Sequence, residues 1–305
     1  MIPDPLVSIV MPSFNQAEFI TASIESVLKQ DYRHLQLIIS DGGSTDGTVD
    51  ILRDISRDDA RLIWWSAEDD GPANAINMAL ARAQGEIIGW LNSDDLYKEG
   101  AIQRAVDALT GPGHAIMCYG HGEHVDESGA WLDTYPTKPP EIGIDAFSAG
   151  CFICQPTVFF KHTMYQLLGP LDETLKTTFD FDYWLRAFKS FQGRISFIDD
   201  IQARSRLHGD CITQRMRRQV ALEGLQTVHR HLGHGPKHWL ATYLEEITED
   251  SQAGGGIDDF VSHLDALLEE AAPFLRDEDR DGLCASFSRV AMEARRAKTA
   301  EVIAQ

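Results

Sequence analysis

Two adjacent carboxylates, Asp94 and Asp95, close the apolar run GEIIGWLNSDD. Repulsion and desolvation both oppose such a pair at the end of a buried strand. A divalent cation, a hydrogen-bonding ligand or water at the strand end can each offset that cost. Hard cations such as Mg2+ or Mn2+ take oxygen ligands, often one or two carboxylates beside phosphate oxygens. Asp41 stands in a similar place after LQLIIS, where its carboxylate could accept a ligand N–H. The turn DGGSTDGT that Asp41 opens also reads as a plain helix entry. Farther on, TFDFDYWLRAF carries Asp180 and Asp182, and RLHGDCIT carries His208. Helical neighbours two apart point to different sides, so one of Asp180 and Asp182 is expected to face a site.

These residues need elements to hold them. LVSIVM (6–11) reads as a strand. Asn15 then opens a helix, with Glu18 three residues on as in a capping box and Ile20, Ile24, Val27 and Leu28 on one face. LQLIIS (35–40) is the second strand, a helix follows from about Val49, and RLIWWS (61–66) is the third strand. Pro72 suits the first turn of a helix, PANAINMALARAQ, that stops at Gly85. EIIGWL (86–91) is the fourth strand. This alternation is the signature of βαβ units around a parallel sheet, where ligands bind beyond the carboxyl ends of the strands. Pro12 to Asn15, Asp41 to Asp46, Glu68 to Gly71 and Asp94 to Asp95 all fall at those ends.

Beyond residue 115 the pattern mixes strands at AIMCYG, AWLDTY, CFICQPTVFF and RISFID with a helix at FDYWLRAFKSF. After about Thr213 it turns helical, through RRQVALEGLQTVHRHL, KHWLATYLEEI, IDDFVSHLDALLEEA and a last helix to the C-terminus. Gly254, Gly255 and Gly256 read as a flexible break in this tail.

A formal charge of −20 over 305 residues argues against a nucleic-acid partner and suits a chain that gathers cations. No apolar run approaches the roughly 20 residues of a membrane-spanning helix, and no basic leader precedes the first apolar patch. A cytoplasmic chain is expected. The five cysteines fit a reducing compartment. Cys151 and Cys154 form a C-x-x-C with no second Cys or His pair nearby, and are expected to be buried thiols. Neither a G-x-x-x-x-G-K-[ST] loop nor a G-x-G-x-x-G helix entry is present, which counts against P-loop and dinucleotide chemistry.

VSIVMPSFN, LIISDGGSTDGT, GEIIGWLNSDD, FDFDYWLRAF and RLHGDCIT, in this order, resemble the successive motifs of family 2 glycosyltransferases with the GT-A fold. The likeness covers residues 6 to 214. It implies an α/β catalytic domain over 1–214, a Rossmann-like mixed sheet flanked by helices, and leaves 215–305 as a helical extension. It further implies an inverting, metal-dependent transferase. Such an enzyme moves a sugar from a nucleotide diphosphate, UDP by expectation, to a hydroxyl of a glycan or lipid-linked acceptor in cell-surface polysaccharide synthesis.

Carried onto this sequence, the family pattern places Pro12, Phe14 and Asn15 along the nucleoside, with Phe14 where a tyrosine is more usual. Asp41 matches the acid that reads the nucleobase, and Asp69 lies in a second nucleotide-contacting loop, where Pro72, Ala73 and Asn74 depart from the family pattern. Asp94 is expected on the ribose or sugar side. Asp95 is expected to bind Mn2+ or Mg2+, and His208 to approach the metal or diphosphate. Asp180 matches the general base. On the acceptor side, Gln155 with Pro156 resembles an acceptor loop, and Trp184 and Arg186 suggest sugar stacking and phosphate binding. The competing role for Trp184 is packing with Phe188 and Phe191. A nucleotidyltransferase and a non-catalytic scaffold are the rival readings; the first would want a basic glycine-rich loop that VMPSFNQAEF does not supply. Peripheral membrane contact and self-association through the helical tail complete the expectations.

Overall fold

The computed structural model describes residues 4–251, 257–286, 288, 289 and 292. The chain divides into two compact units, residues 1–144 with 151–211, and residues 145–150 with 212–305.

In the first unit, β1 (Val7–Ser13), β2 (Leu35–Asp41), β3 (Leu62–Ser66) and β4 (Ile87–Trp90) run parallel in the order β3-β2-β1-β4. β1 and β2 are apolar and almost wholly buried, as strands covered on both faces must be. The helices between them are α1 (Ile20–Leu28), α2 (Thr48–Asp58) and α3 (Pro72–Leu80). Then come the short β5 (Leu96–Tyr97), α4 (Ala101–Thr110), β6 (Met117–Val125), β7 (Trp131–Thr134), β8 (Phe159–Lys161), α5 (His162–Leu168), α6 (Phe179–Ser190) and β9 (Ile195–Arg206). The sheet continues past β4 as β8-β6-β9-β5, with β7 added to β6. β8 lies antiparallel to β4 and β6, and β6 and β9 run parallel, so the sheet is mixed.

Four local expectations change. The first helix begins at Ile20, not at Asn15. Asn15 has a φ of 52°. The N–H groups of Asn15, Gln16 and Ala17 donate to Ser44 Oγ, Thr48 Oγ1 and Asp46 Oδ2, so the loop after β2 takes the donors a capping box would have satisfied. α3 ends at Leu80 rather than running to Gln84. Gly85 answers to a different demand, since a Cβ there would stand 2.6 Å from Ser8 N. In CFICQPTVFF only Phe159 and Phe160 enter a strand, because Gln155–Thr157 forms a 3-10 turn. α4 was not among the expected elements, although Ile102, Val106 and Leu109 bear helical spacing and are all buried.

The second unit holds α7 (Ile212–Arg215), α8 (Arg217–Leu232), α9 (His238–Ser251) and α10 (Ile257–Ala271). Leu222, Leu225, Leu240, Leu244, Leu264 and Leu267 share its core. The glycine break at 254–256 and the end of the expected last helix lie outside the described residues. No described helix is long and apolar enough to cross a membrane.

Candidate active site

The carboxyl ends of the parallel strands form one edge, and the loops there bind each other. Gly42 N donates to Ser13 O at 2.8 Å, and Thr45 N donates to Asn15 Oδ1 at 2.9 Å. Phe14 projects from this pair of loops with 61 % of its surface exposed. Pro12 is the penultimate residue of β1 and stays half-buried.

Asp41 is fully buried. One of its oxygens accepts from Ser13 Oγ and Ser44 Oγ, and the other from Gly43 N, Ser44 N and Ser66 Oγ. A ligand N–H could reach this carboxylate only by displacing one of those five donors. The structure therefore makes Asp41 the acceptor that fastens the loop, where the sequence suggested one that reads a base directly. Asp69 comes close to the same loop. A Cβ at Gly42 would lie 2.8 Å from Asp69 Oδ2, so glycine is what admits the acid. Asp69 accepts from Gly71 N at 2.8 Å, and burial pushes its carboxyl above the ordinary range.

The turn after β4 separates the two adjacent acids. Asp95 points inward: Oδ1 accepts from Arg206 N at 2.9 Å and Oδ2 from Asn92 Nδ2 at 3.3 Å. Burial, and after it the charge of Asp94, hold the Asp95 carboxyl well above its usual value. Asp94 turns the other way, and its Oδ2 lies 3.0 Å from His208 Nε2. That hydrogen bond raises His208 above the ordinary histidine value. Asp94, His208 and Cys211 each present a ligand atom, and the three atoms lie within 4.8 Å of one another. A carboxylate, an imidazole and a thiol are all ligands for a divalent cation, so this donor set fits one. Asp94, expected on the sugar side, thus lies with His208 and Cys211, while Asp95, expected to bind the cation, is buried and accepts from Arg206 N and Asn92 Nδ2.

His208 reaches Asp94 because β9 pairs antiparallel with β5, Leu96 opposite Arg204, which brings the end of β9 alongside the turn. Arg206 secures the junction. Its Nε donates to the Asp94 carbonyl at 2.9 Å, and its Nη1 donates to the Asp126 and Glu127 carbonyls. The Phe19 ring lies against the Arg206 guanidinium and also 4.8 Å from the His208 ring. Neither Arg206 nor Cys211 is marked by a sequence signal of its own, since their roles arise from contacts with segments over 100 residues away.

Asp180 begins α6 as a half-buried acid, and burial pushes its carboxyl up to about 6. The buried Cys154 thiol is raised by burial first, and also by the charges of Asp95, Cys151 and Asp180. Asp182 is buried on the other side of the helix, 3.7 Å from Arg186 Nη1.

The three residues expected on the acceptor side all make structural contacts, and one of them, Trp184, is out of reach of a sugar. Trp184 is completely buried, its ring 6.2 Å from that of Trp90, and cannot stack on a sugar. Arg186 donates to the Pro170 carbonyl at 2.8 Å and to the Leu168 carbonyl, which ties α6 to the end of α5. Gln155 donates to the Trp90 carbonyl at 2.9 Å and accepts from Asn92 Nδ2 at 3.0 Å, bracing the turn that holds Asp94. All five cysteines are free, Cys118 and Cys154 buried and Cys151 half-buried.

A family model described as "Glycosyl transferase family 2" matches residues 8–168. The putative teichuronic acid biosynthesis glycosyltransferase TuaG of Bacillus subtilis is 31 % identical over 187 residues, covering 61 % of this chain and 73 % of TuaG. An uncharacterized glycosyltransferase of Rickettsia conorii, RC0461, is 27 % identical over 256 residues. The match takes in 80 % of this chain but 39 % of RC0461, so the chain spans well under half the length of that relative. Among solved structures, S. aureus TarS 1-349 in complex with UDP-GlcNAc superposes with a TM-score of 0.64 at 18 % identity, over 98 % of this chain and 92 % of that one. The fold is accordingly that of GT-A glycosyltransferases.

Proposed function

The chain belongs to glycosyl transferase family 2, and from that premise we propose that it transfers a sugar from a nucleotide diphosphate donor to an acceptor hydroxyl with inversion. The observation that carries this reading is the Asp94–His208 contact at the carboxyl end of β4, with a second acid in the same unit, Asp180, whose carboxyl is raised to about 6. Phe14, exposed beside the loop that Asp41 fastens, offers its ring to the nucleoside, with Pro12 and Asn15 on the same stretch and Asp69 against Gly42 of that loop. UDP is the nucleotide we favour, because the TarS structure that shares this fold holds UDP-GlcNAc. Asp94 and His208 would hold a divalent cation such as Mn2+ or Mg2+. When bound, the ion acts as a Lewis acid toward the charge that develops on the departing diphosphate. Asp180 accepts the proton of the attacking hydroxyl, for which a pKa near 6 leaves it ionised at neutral pH and still basic. The acceptor is a glycan or a lipid-linked glycan, a reading supported by the teichuronic acid biosynthesis in TuaG's name.

Thermal shift with a panel of nucleotide sugars, with and without Mn2+, tests the reading, since a ligand that binds the native state raises its melting temperature. At least one UDP-sugar should stabilise the chain in a Mn2+-dependent way, and Asp94→Asn should abolish the Mn2+ dependence. A panel that shifts nothing at any Mn2+ concentration would sink it.

A further inference from the structure

Cys211 lies in the turn RLHGDC that carries His208, and two contacts fix its sulfur. The His208 N–H donates to Sγ at 3.3 Å, and the thiol donates to the Arg206 carbonyl at 3.2 Å. Cys211 N also donates to the His208 carbonyl at 3.1 Å, closing a compact turn. The sulfur is therefore held near the Asp94 carboxylate and the His208 ring, one ligand atom from each of the three residues lying within 4.8 Å of the others. Around a tetrahedral ion, metal–ligand bonds of about 2.0–2.3 Å set ligand atoms roughly 3.5 Å apart. Ligand atoms that lie within 4.8 Å of one another are close to that spacing.

We propose that Cys211 is a third protein ligand of this seat, so that it binds borderline and soft divalent cations such as Co2+, Zn2+ and Cd2+ through sulfur. The inference rests on the proposed function for its first two ligands, Asp94 and His208. A hard cation of the Mg2+ kind gains little from a thiol and keeps oxygen ligands and water, so Asp94, His208 and the diphosphate suffice for it. A softer ion gains a metal–sulfur bond. As that bond forms, the thiol proton leaves to solvent and the hydrogen bond to the Arg206 carbonyl is given up. The His208 N–H still points at the sulfur and stabilises its negative charge, as outer-shell donors do at thiolate sites.

The test is Co2+ titration of the full chain, read by absorption, because sulfur-to-cobalt charge transfer absorbs strongly in the near ultraviolet and oxygen and nitrogen ligation does not. The wild-type chain should show this band at one equivalent. Cys211→Ser keeps a hydroxyl for both turn contacts; it should lose the band and bind Co2+ about tenfold or more weaker, with Mn2+ affinity changed less than about twofold. Protection against alkylation needs no variant: stoichiometric Cd2+ should shield Cys211 from iodoacetamide, as read by peptide mass. Binding of Co2+ that requires Asp94 but shows no band, with Cys211 still alkylated under Cd2+, would overturn the sulfur ligand and leave the cation seat standing. If neither Co2+ nor Mn2+ binds, the seat itself fails and the proposed function with it.

Discussion

Asp180 carries a cost that its chemistry explains. Burial holds its proton on to about pH 6, against an ordinary value of 3.8. An acid whose folded pKa is raised contributes stability that is fully present below the unfolded pKa and lost as pH rises through the folded one. At pH 7 the ionised carboxylate therefore costs the fold on the order of 3 kcal/mol. Asp180→Asn should recover that stability at pH 7 and gain nothing at pH 3.5, while transfer falls by about 10²- to 10⁴-fold and donor binding is kept. Melting temperatures and turnover measured on one preparation check both halves; an Asn variant less stable at pH 7 would contradict the burial assigned to Asp180. The rate of the wild-type chain should rise with pH through about 6 and then level off. At this scale the acids were legible as residue types, at a strand end in GWLNSDD and at the start of a helix in TFDFDYW. Which of Asp94 and Asp95 faces outward was not. That depends on the Arg206 N–H reaching Asp95 across 111 residues, a contact that no local pattern encodes.

The elements were legible where periodicity and strand hydrophobicity are strong, as in β1, β2, β4 and α6. They were least so where polar contacts from elsewhere decide the ends, as at α1, and where a 3-10 turn interrupts an apolar run, as at Gln155. The segment leading into α6 shows what such contacts do. Asn77 on α3 donates from Nδ2 to the Leu171 carbonyl at 3.0 Å and to Glu173 Oε1 at 2.7 Å, and accepts from Leu171 N at 2.9 Å. These bonds hold the stretch from which the chain enters α6 and presents Asp180. Asn77→Ala would leave the buried Leu171 N–H and C=O without partners, a loss of about 2–4 kcal/mol. Amide exchange at residues 170–176 should accelerate ahead of global unfolding. Exchange there that changes only together with the β1 and β2 amides would show instead that this stretch has no local stability of its own.

At the scale of the whole molecule, the sequence marks a helical region after the last family-like motif but cannot show that residues 145–150 belong with it. These six residues interrupt the first unit between β7 and β8 and cluster with the helices, which requires contacts between parts of the chain over 60 residues apart. Phe147 is fully buried, and a Cβ at Gly150 would stand 3.8 Å from His238 Nε2 at the start of α9. The two units are therefore two compact bodies but not two successive pieces of chain. A cut after Cys211 should deprive 145–150 of its packing partners and expose Phe147. The shortened chain is expected to bind a hydrophobic dye that the full chain does not, and to melt at a lower temperature, since burying a Phe is worth roughly 1.5–3 kcal/mol. Phe147→Ser in the shortened chain should reduce the dye signal, and in the full chain should destabilise. The mass of the full and cut chains in solution reads self-association through the helices at the same time. A cut chain that neither binds dye nor loses stability would show that the segment's packing lies within the first unit.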